Sequence, residues 1–366
     1  MLAAAAVTVS LAACAPPEDD TAADPEQASN EGQNTEEAPE DYLAKLVTQA
    51  EEEGELNVIA LPPDWANYGA IIDAFQAKYD IKINSALPDT DSQTEINTAK
   101  KLAGTDRAPD VFDVSQSVAL ANTDMFAEYK VQTWDDIPDD LKDENGLWVN
   151  DYGGYMSIGY DSEKVPDVTK VEDLLGPDFE GAVALNGDPT AAGAAFIGVM
   201  MVSIANGGSP DDIAPGVEFF KKLDEAGNFL PVDPSAATTE SGQTPVVIDW
   251  DYLNAAQVKT LPSWKVVVPN EAVVGGYYFQ AINKEAPHPA AARLWQEFLY
   301  SDEGQNLWLQ GGARPVRQEA MVEAGTIDEE AFKALPPVEG DPIFITDKQT
   351  VKAGAYLKEN WAEVRG

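Results

Sequence analysis

Apolar positions along this chain recur alternately at helical and at strand spacing. Leu43, Leu46, Val47 and Ala50 share one face of a helix that begins at Asp41 and stops at Gly54. Residues 56–61 (LNVIAL) then read as a short buried strand, and Ile71, Ile72, Phe75 and Tyr79 as the apolar stripe of a second helix. A strand over 81–87, a helix ending at Gly104 and a third strand over 110–115 continue the series. Strands and helices alternating in this way predict a mostly parallel sheet covered by helices. The middle of the chain repeats the texture, with strands over 152–161 and 181–188, an apolar helix over 192–205, an amphipathic helix over 215–227, and strands over 244–251, 264–271 and 273–284. The apolar helix is too short for a bilayer, which needs about 20 residues, so it is expected in the core. From His288 the pattern is helical, with Leu294, Phe298 and Leu299 facing inward. A length of 366 residues predicts two domains, at roughly 100 to 200 residues each.

Charge narrows the chemistry. The 64 acidic residues against 23 basic ones leave a formal net charge of -41, and no cluster of Lys or Arg offers the basic footprint that nucleic acid requires. One Cys and one His exclude a disulfide framework and the common zinc sites. A histidine-based triad would have to use His288, with no GxSxG element in the chain, and neither a P-loop nor a GxGxxG follows a strand. No cofactor or metal is expected. A secreted glycosidase using two carboxylates stays open as an alternative class, because paired carboxylates have no fixed spacing.

The N-terminal residues 1–13 form an apolar run too short to span a membrane, of the kind found in export signals. Leu11-Ala12-Ala13-Cys14 ends this run and resembles the lipobox of bacterial lipoproteins, which implies lipidation of Cys14, the single cysteine. No Lys or Arg precedes the run, a departure from the usual charged start of such signals. Residues 15–41 hold no Leu, Ile, Val, Met or aromatic residue, and ten acids lie between Glu18 and Asp41. Burial cannot offset the ordering entropy of such a segment, so a disordered acidic linker is expected there.

From residue 56 onward, LNVIALPPDWANYGAIIDAFQAKY, APDVFDVS, YMSIGYDSEKVP, VALNGDPTAAGAAF, VVIDWDYLNAA and APHPAAARLWQEFLYSDEGQNLWLQGGARPV resemble a bacterial extracellular solute-binding protein of an ABC importer. The similarity is to the branch that includes polyamine and ferric-iron binders. It implies the type II periplasmic-binding-protein fold: α/β and two-lobed, each lobe a mixed, mostly parallel sheet flanked by helices, joined by crossing hinge strands. Lobe 1 would comprise 42–161 and 272–325, and lobe 2 would comprise 162–271 and 326–366. The resemblance further implies a monomer that binds rather than catalyses, delivers a small solute to a membrane-embedded permease, and sits on the outer face of the cytoplasmic membrane or in the periplasm.

Ligands of open α/β sheets sit at the carboxyl ends of strands. In this chain those loops carry Asp64 and Trp65, residues 89–93, Ser115 and Ser117, Asp188 and Thr190, and the run Asp249, Trp250, Asp251 and Tyr252. Carboxylates beside aromatic faces suit an organic cation, polyamine-like in this reading, and Tyr277 and Tyr278 near the hinge add further walls. An anion such as phosphonate or sulfate would instead use the helix start at Thr190 and the hydroxyls of Ser115 and Ser117, with Arg314 and Arg317 as the nearest bases. Ferric iron wants hard oxygen ligands, but strand alternation sends Tyr277 and Tyr278 to opposite faces. His288, at a helix start, is expected on the surface or as a cap.

Overall fold

The first helix, Pro39–Glu53, buries Leu46 and Ala50 against the body of the protein. Gly54 ends it at a φ of 73°, a backbone region that glycine enters without a Cβ clash. The structure, a computed structural model, describes residues 39–365. Cys14 and most of the acidic linker lie outside the described residues.

Strands β1 (Glu55–Ile59), β2 (Lys82–Ala86), β3 (Val111–Val114), β4 (Phe126–Ala127), β5 (Val149–Asp161) and β6 (Val183–Leu185) precede β7 (Val246–Trp250), β8 (Trp264–Val267), β9 (Val274–Asn283), β10 (Arg314–Pro315) and β11 (Ile343–Phe344). The strand–helix–strand units give the parallel pairs that the pattern predicts. β1 runs parallel to β2 across the helix Tyr68–Lys78, and β6 runs parallel to β7 across the helices Gly193–Ala205 and Ala214–Glu225. Helix Gly193–Ala205 is buried on nearly every side, as its apolar run requires. A Cβ on Gly198 would lie 2.8 Å from Leu185 Cδ1 and 3.1 Å from Ile248 Cγ2, so this glycine lets the helix lie directly on β6 and β7.

The sheet is mixed, but among the described residues antiparallel pairings outnumber parallel ones, which corrects the expectation of mostly parallel lobes. Two long strands cause this. β5, of 13 residues, pairs antiparallel with β7, β8, β9 and β10. β9 pairs antiparallel with β3 and β4 as well as β5, and parallel only with β11. Strand β3 therefore does not extend the parallel series; it meets β1 through Asp110, whose N–H donates to the Asn57 carbonyl at 2.9 Å. Glycines permit the close crossing of the long strands. A Cβ on Gly153 would run into the Gly276 carbonyl, and one on Gly154 would lie 2.5 Å from Asp251 Oδ1.

The helical end of the chain divides in two, Pro289–Leu299 and Asp302–Gln310. Ser301 makes the break by accepting the Gly304 N–H on its hydroxyl at 3.2 Å. Trp295 and Phe298 pack on Phe75 with ring centroids 5.1 and 5.5 Å away, which ties these helices to the first third of the chain. The last helix, Asp347–Asn360, leads instead to Trp361, whose ring lies 5.3 Å from that of Phe220. Among the described residues no helix is long and apolar enough to cross a membrane.

Candidate functional site

Five aromatic side chains from distant parts of the sequence meet around strands β5, β7 and β9. Tyr152 of β5 lies 5.7 Å from Tyr278 of β9, ring centroid to centroid, with planes 13° apart. Trp250, ending β7, lies 6.2 Å from Tyr252 with planes 10° apart. Steeper contacts join the two pairs: Tyr152 to Tyr252 at 5.9 Å and 78°, and Trp250 to Tyr278 at 6.4 Å and 68°. Trp65 then meets Tyr252 and Tyr278 edge-on at 6.3 and 5.8 Å. The rings thus pack into a closed aromatic box, and Trp250 and Tyr278 are the members that also face an open cavity.

Local backbone chemistry delivers Trp65 to this box. The turn after β1 closes with the Trp65 N–H on the Pro62 carbonyl, and Ala66 and Asn67 follow at φ 45° and 69°. Non-glycine residues hold such a conformation only where the surroundings impose it. Here the Asn67 side chain donates to the Leu307 carbonyl at 2.7 Å, pinning the turn to the helix Asp302–Gln310. The Trp65 indole N–H donates to the Tyr152 hydroxyl at 2.7 Å.

Two carboxylates adjoin the rings. Asp113 Oδ2, on β3, accepts from the hydroxyls of Tyr68 at 2.7 Å and Tyr152 at 3.3 Å. Asp249, on β7, accepts from Asn186 Nδ2 and from the Trp250 N–H, both at 2.8 Å. Burial raises the pKa of each from 3.8 to about 7, against the pull of those hydrogen bonds. Burial first, then the charges of Asp113 and Asp249, push the hydroxyls of Tyr252 and Tyr278 up. Asp113 Oδ1 and the Tyr252 hydroxyl are buried without a hydrogen-bond partner, a combination that calls for a ligand or another explanation. Below Asp113 the network runs on through Gln280, which donates to the Tyr68 hydroxyl and to Asp151 Oδ2, while Glu95 accepts the Asp113 N–H. Burial first, and then the neighbouring Asp113, lifts both Asp151 and Glu95 well above the usual carboxylate range.

Trp250 and Tyr278 also form one wall of a cavity of about 1070 Å³. Ser115, Trp148, Tyr155, Gly193, Tyr277 and Arg314 also line it. This lies just above the usual size range of small-molecule sites, about 300 to 1,000 Å³. The profile of the family described as bacterial extracellular solute-binding protein matches residues 106–336, a span that holds Asp113, Tyr152, Asp249, Trp250, Tyr252 and Tyr278. This chain belongs to that family. Its members are extracytoplasmic binding proteins, not enzymes, that serve ABC import by binding small solutes and meeting a permease.

Solved structures give the fold of this solute-binding protein its wider frame. The binding protein AgtB of A. tumefaciens R10, in complex with agropinic acid, is 15% identical at a TM-score of 0.67, with 85% of this chain and 98% of that chain covered. A periplasmic thiamin-binding protein is 16% identical at a TM-score of 0.67, covering 85% and 96%. The ferric-binding protein of Campylobacter jejuni is 18% identical at 0.63, covering 84% and 99%. At such identities the likeness establishes the two-lobed type II fold, and the ligands differ from one neighbour to the next. A comparison with curated protein sequences found no match.

The solute-binding protein distributes the residues expected at its ligand unevenly. Trp65, Trp250, Tyr252 and Asp249 come together in and beside the box. Ser115, Ser117 and Tyr277 line the cavity, where Ser115 is the buried N-cap residue of the helix Gln116–Leu120. Tyr277 stacks on Phe344 at 5.9 Å while Tyr278 stacks on Tyr152, so the two hydroxyls have different surroundings. Asp64 is exposed and absent from the cavity lining, and so are Asp188 and Thr190. Asp188 Oδ1 accepts both the N–H and the hydroxyl of Thr190, which takes up the donors expected for an anion. In the 89–93 loop, Asp91 caps the helix Ser92–Leu102.

Asp251 has a structural partner rather than a free carboxylate. It is fully buried, takes Arg314 Nη1 on Oδ2 at 2.5 Å, and accepts the Tyr155 N–H on Oδ1 at 3.0 Å. Arg317 is likewise engaged, by Asp136 and Asp302. His288 is clasped by the buried Asp110, its N–H at 2.7 Å and its Nδ1 at 2.9 Å from the carboxylate, and lies beside a separate cleft of about 620 Å³. Sequence reasoning missed Asp113, Tyr152, Trp148, Tyr155 and Phe344. For Asp113 a signal existed, since an aspartate inside an apolar buried strand needs a reason.

Proposed function

We propose that the solute is an organic cation, polyamine-like, whose ammonium group sits against the face that Trp250 and Tyr278 of the aromatic box present to the cavity. The observation that carries this reading is the placement of Asp113 and Asp249 beside that box with only neutral hydrogen-bond partners, one of them keeping an unpartnered oxygen. A buried carboxylate is costly unless a counter-charge arrives, and a cation at the cavity face of the box supplies it. An alkyl stem then extends past Trp250 and Tyr278 into the cavity. The anion alternative loses support because the donors of Thr190 are turned to Asp188. Ferric iron has weaker support: Tyr277 and Tyr278 both line the cavity, contrary to the opposite faces expected from strand alternation, but their rings are stacked on different partners, Phe344 and Tyr152. We also place the lobe boundaries at 42–161 with 272–325 and at 162–271 with 326–366, read Cys14 as a lipid anchor, and take the protein as a monomer. Ligand contacting both lobes would favour the closed population.

The test is a thermal-shift and calorimetric screen of the protein against putrescine, spermidine, amino acids, sulfate, phosphonates, sugars and ferric salts at fixed ionic strength. A ligand at 100 times its Kd stabilises the native state by about 2.7 kcal/mol. Stabilisation by the amines is expected. A response to anions or sugars alone would remove the cation from the site.

A further inference from the structure

The family match ends at residue 336, yet the cavity wall does not. Phe344, Ile345, Thr346, Asp347, Lys348 and Thr350 all line it. Strand β11 brings them there by pairing in parallel with β9 at Val274 and Gly275. Gly275 makes the approach possible, since a Cβ there would lie 2.6 Å from Phe344 Cε1.

Gln116 fastens this segment to the loop after β3. Its Nε2 donates to the Ile345 carbonyl at 3.2 Å and to Asp347 Oδ1 at 3.0 Å. Its Oε1 accepts the hydroxyl of Thr350, a residue only 1% exposed, at 3.0 Å. One side chain therefore holds the start of the helix Asp347–Asn360 at three points, satisfying both its donor group and its acceptor. The rest of the segment is attached elsewhere. Lys352 Nζ donates to the Asp211 carbonyl at 2.8 Å, Gln349 Nε2 to Asp211 Oδ2 at 3.2 Å, and Lys221 Nζ to Glu363 at 2.9 Å. The ring contact of Trp361 with Phe220 anchors the far end. With the lobes divided as above, Asp211, Phe220 and Lys221 belong to lobe 2 and Gln116 belongs to lobe 1.

We propose that residues 343–365 are a tie between the lobes, attached to lobe 2 from Gln349 onward and fastened to lobe 1 by the pairing of β11 with β9 and by Gln116, which favours the closed arrangement before any solute arrives. Opening the cleft then requires Gln116 to release Ile345, Asp347 and Thr350. The tie uses no residue of the aromatic box, so it does not depend on the solute being a cation. It rests on the lobe division alone.

Small-angle scattering and amide hydrogen exchange on the solute-free full chain test this. Gln116→Ala removes all three bonds, and Thr350→Val removes one while keeping the side chain's size. Gln116→Ala is expected to raise the radius of gyration and to speed exchange at residues 347–353 about tenfold, equivalent to about 1.4 kcal/mol, with Thr350→Val shifting both in the same direction by less. A radius and exchange pattern in Gln116→Ala identical to wild type would overturn the tie. Should Gln116→Ala fail to fold, Thr350→Val decides: faster exchange at 347–353 supports the tie, and unchanged exchange overturns it.

Discussion

Asp249→Asn is the substitution from which the site's electrostatics can be read most directly. Burial raises the Asp249 pKa from 3.8 to about 7, roughly three units, and each unit corresponds to about 1.36 kcal/mol. The folded state therefore holds this proton more tightly than the unfolded chain does. Its stabilising contribution is complete below about pH 4 and is lost as pH rises through 7, amounting to about 4 kcal/mol between pH 4 and 8. Asparagine cannot ionise, so the variant lacks this loss. It keeps one carbonyl oxygen for the two donors, Asn186 Nδ2 and the Trp250 N–H, which costs about 1 kcal/mol at every pH. Denaturant unfolding of both proteins without solute, from pH 4 to 8, measures the difference. Asp113, Asp151 and Glu95 are also raised by burial, but they are common to both curves and cancel. The variant should be slightly less stable at pH 4 and more stable at pH 8, with the gap changing by up to about 4 kcal/mol. Parallel curves would mean that Asp249 is not desolvated as the structure shows. Under the proposed function the same variant binds putrescine or spermidine at least about tenfold more weakly at pH 8, since a charged partner is lost.

Two further substitutions probe the frame around the site. Arg314→Ala leaves Asp251 buried without its counter-charge and should lower unfolding free energy by about 3 to 5 kcal/mol, seen as a drop in Tm; a change under 1 kcal/mol would show that the pair is not the anchor described. Gly154→Ala drives a Cβ toward Asp251 Oδ1 and the Tyr252 ring and should cost about 1 to 3 kcal/mol, checked by denaturant unfolding, with a neutral result indicating that the strands can separate there without strain.

Burial pattern is a local property, and so the elements were legible in the sequence. The helix bearing Leu46 and Ala50, the buried helix Gly193–Ala205 and the long strands β5 and β9 all follow from the spacing of apolar residues. Candidate positions were legible too: Trp65, Asp249, Trp250 and Tyr252 lie at or just after strand ends, where ligands of α/β proteins collect. Strand direction was not legible, because β3 pairs with β9 rather than extending β1 and β2, and only the packing of residues far apart in the chain selects the partner. The separate fates of Asp249 and Asp251 were hidden for the same reason. The two are near neighbours with the same side chain, yet Arg314, 63 positions on, claims Asp251, while Asp249 meets only neutral donors. The cavity wall supplied by residues 344–350 likewise depends on β11 finding β9. Periodicity says which side of an element is buried; the identity of what buries it, and hence the charge on a carboxylate, is set by long-range contacts that no local pattern encodes.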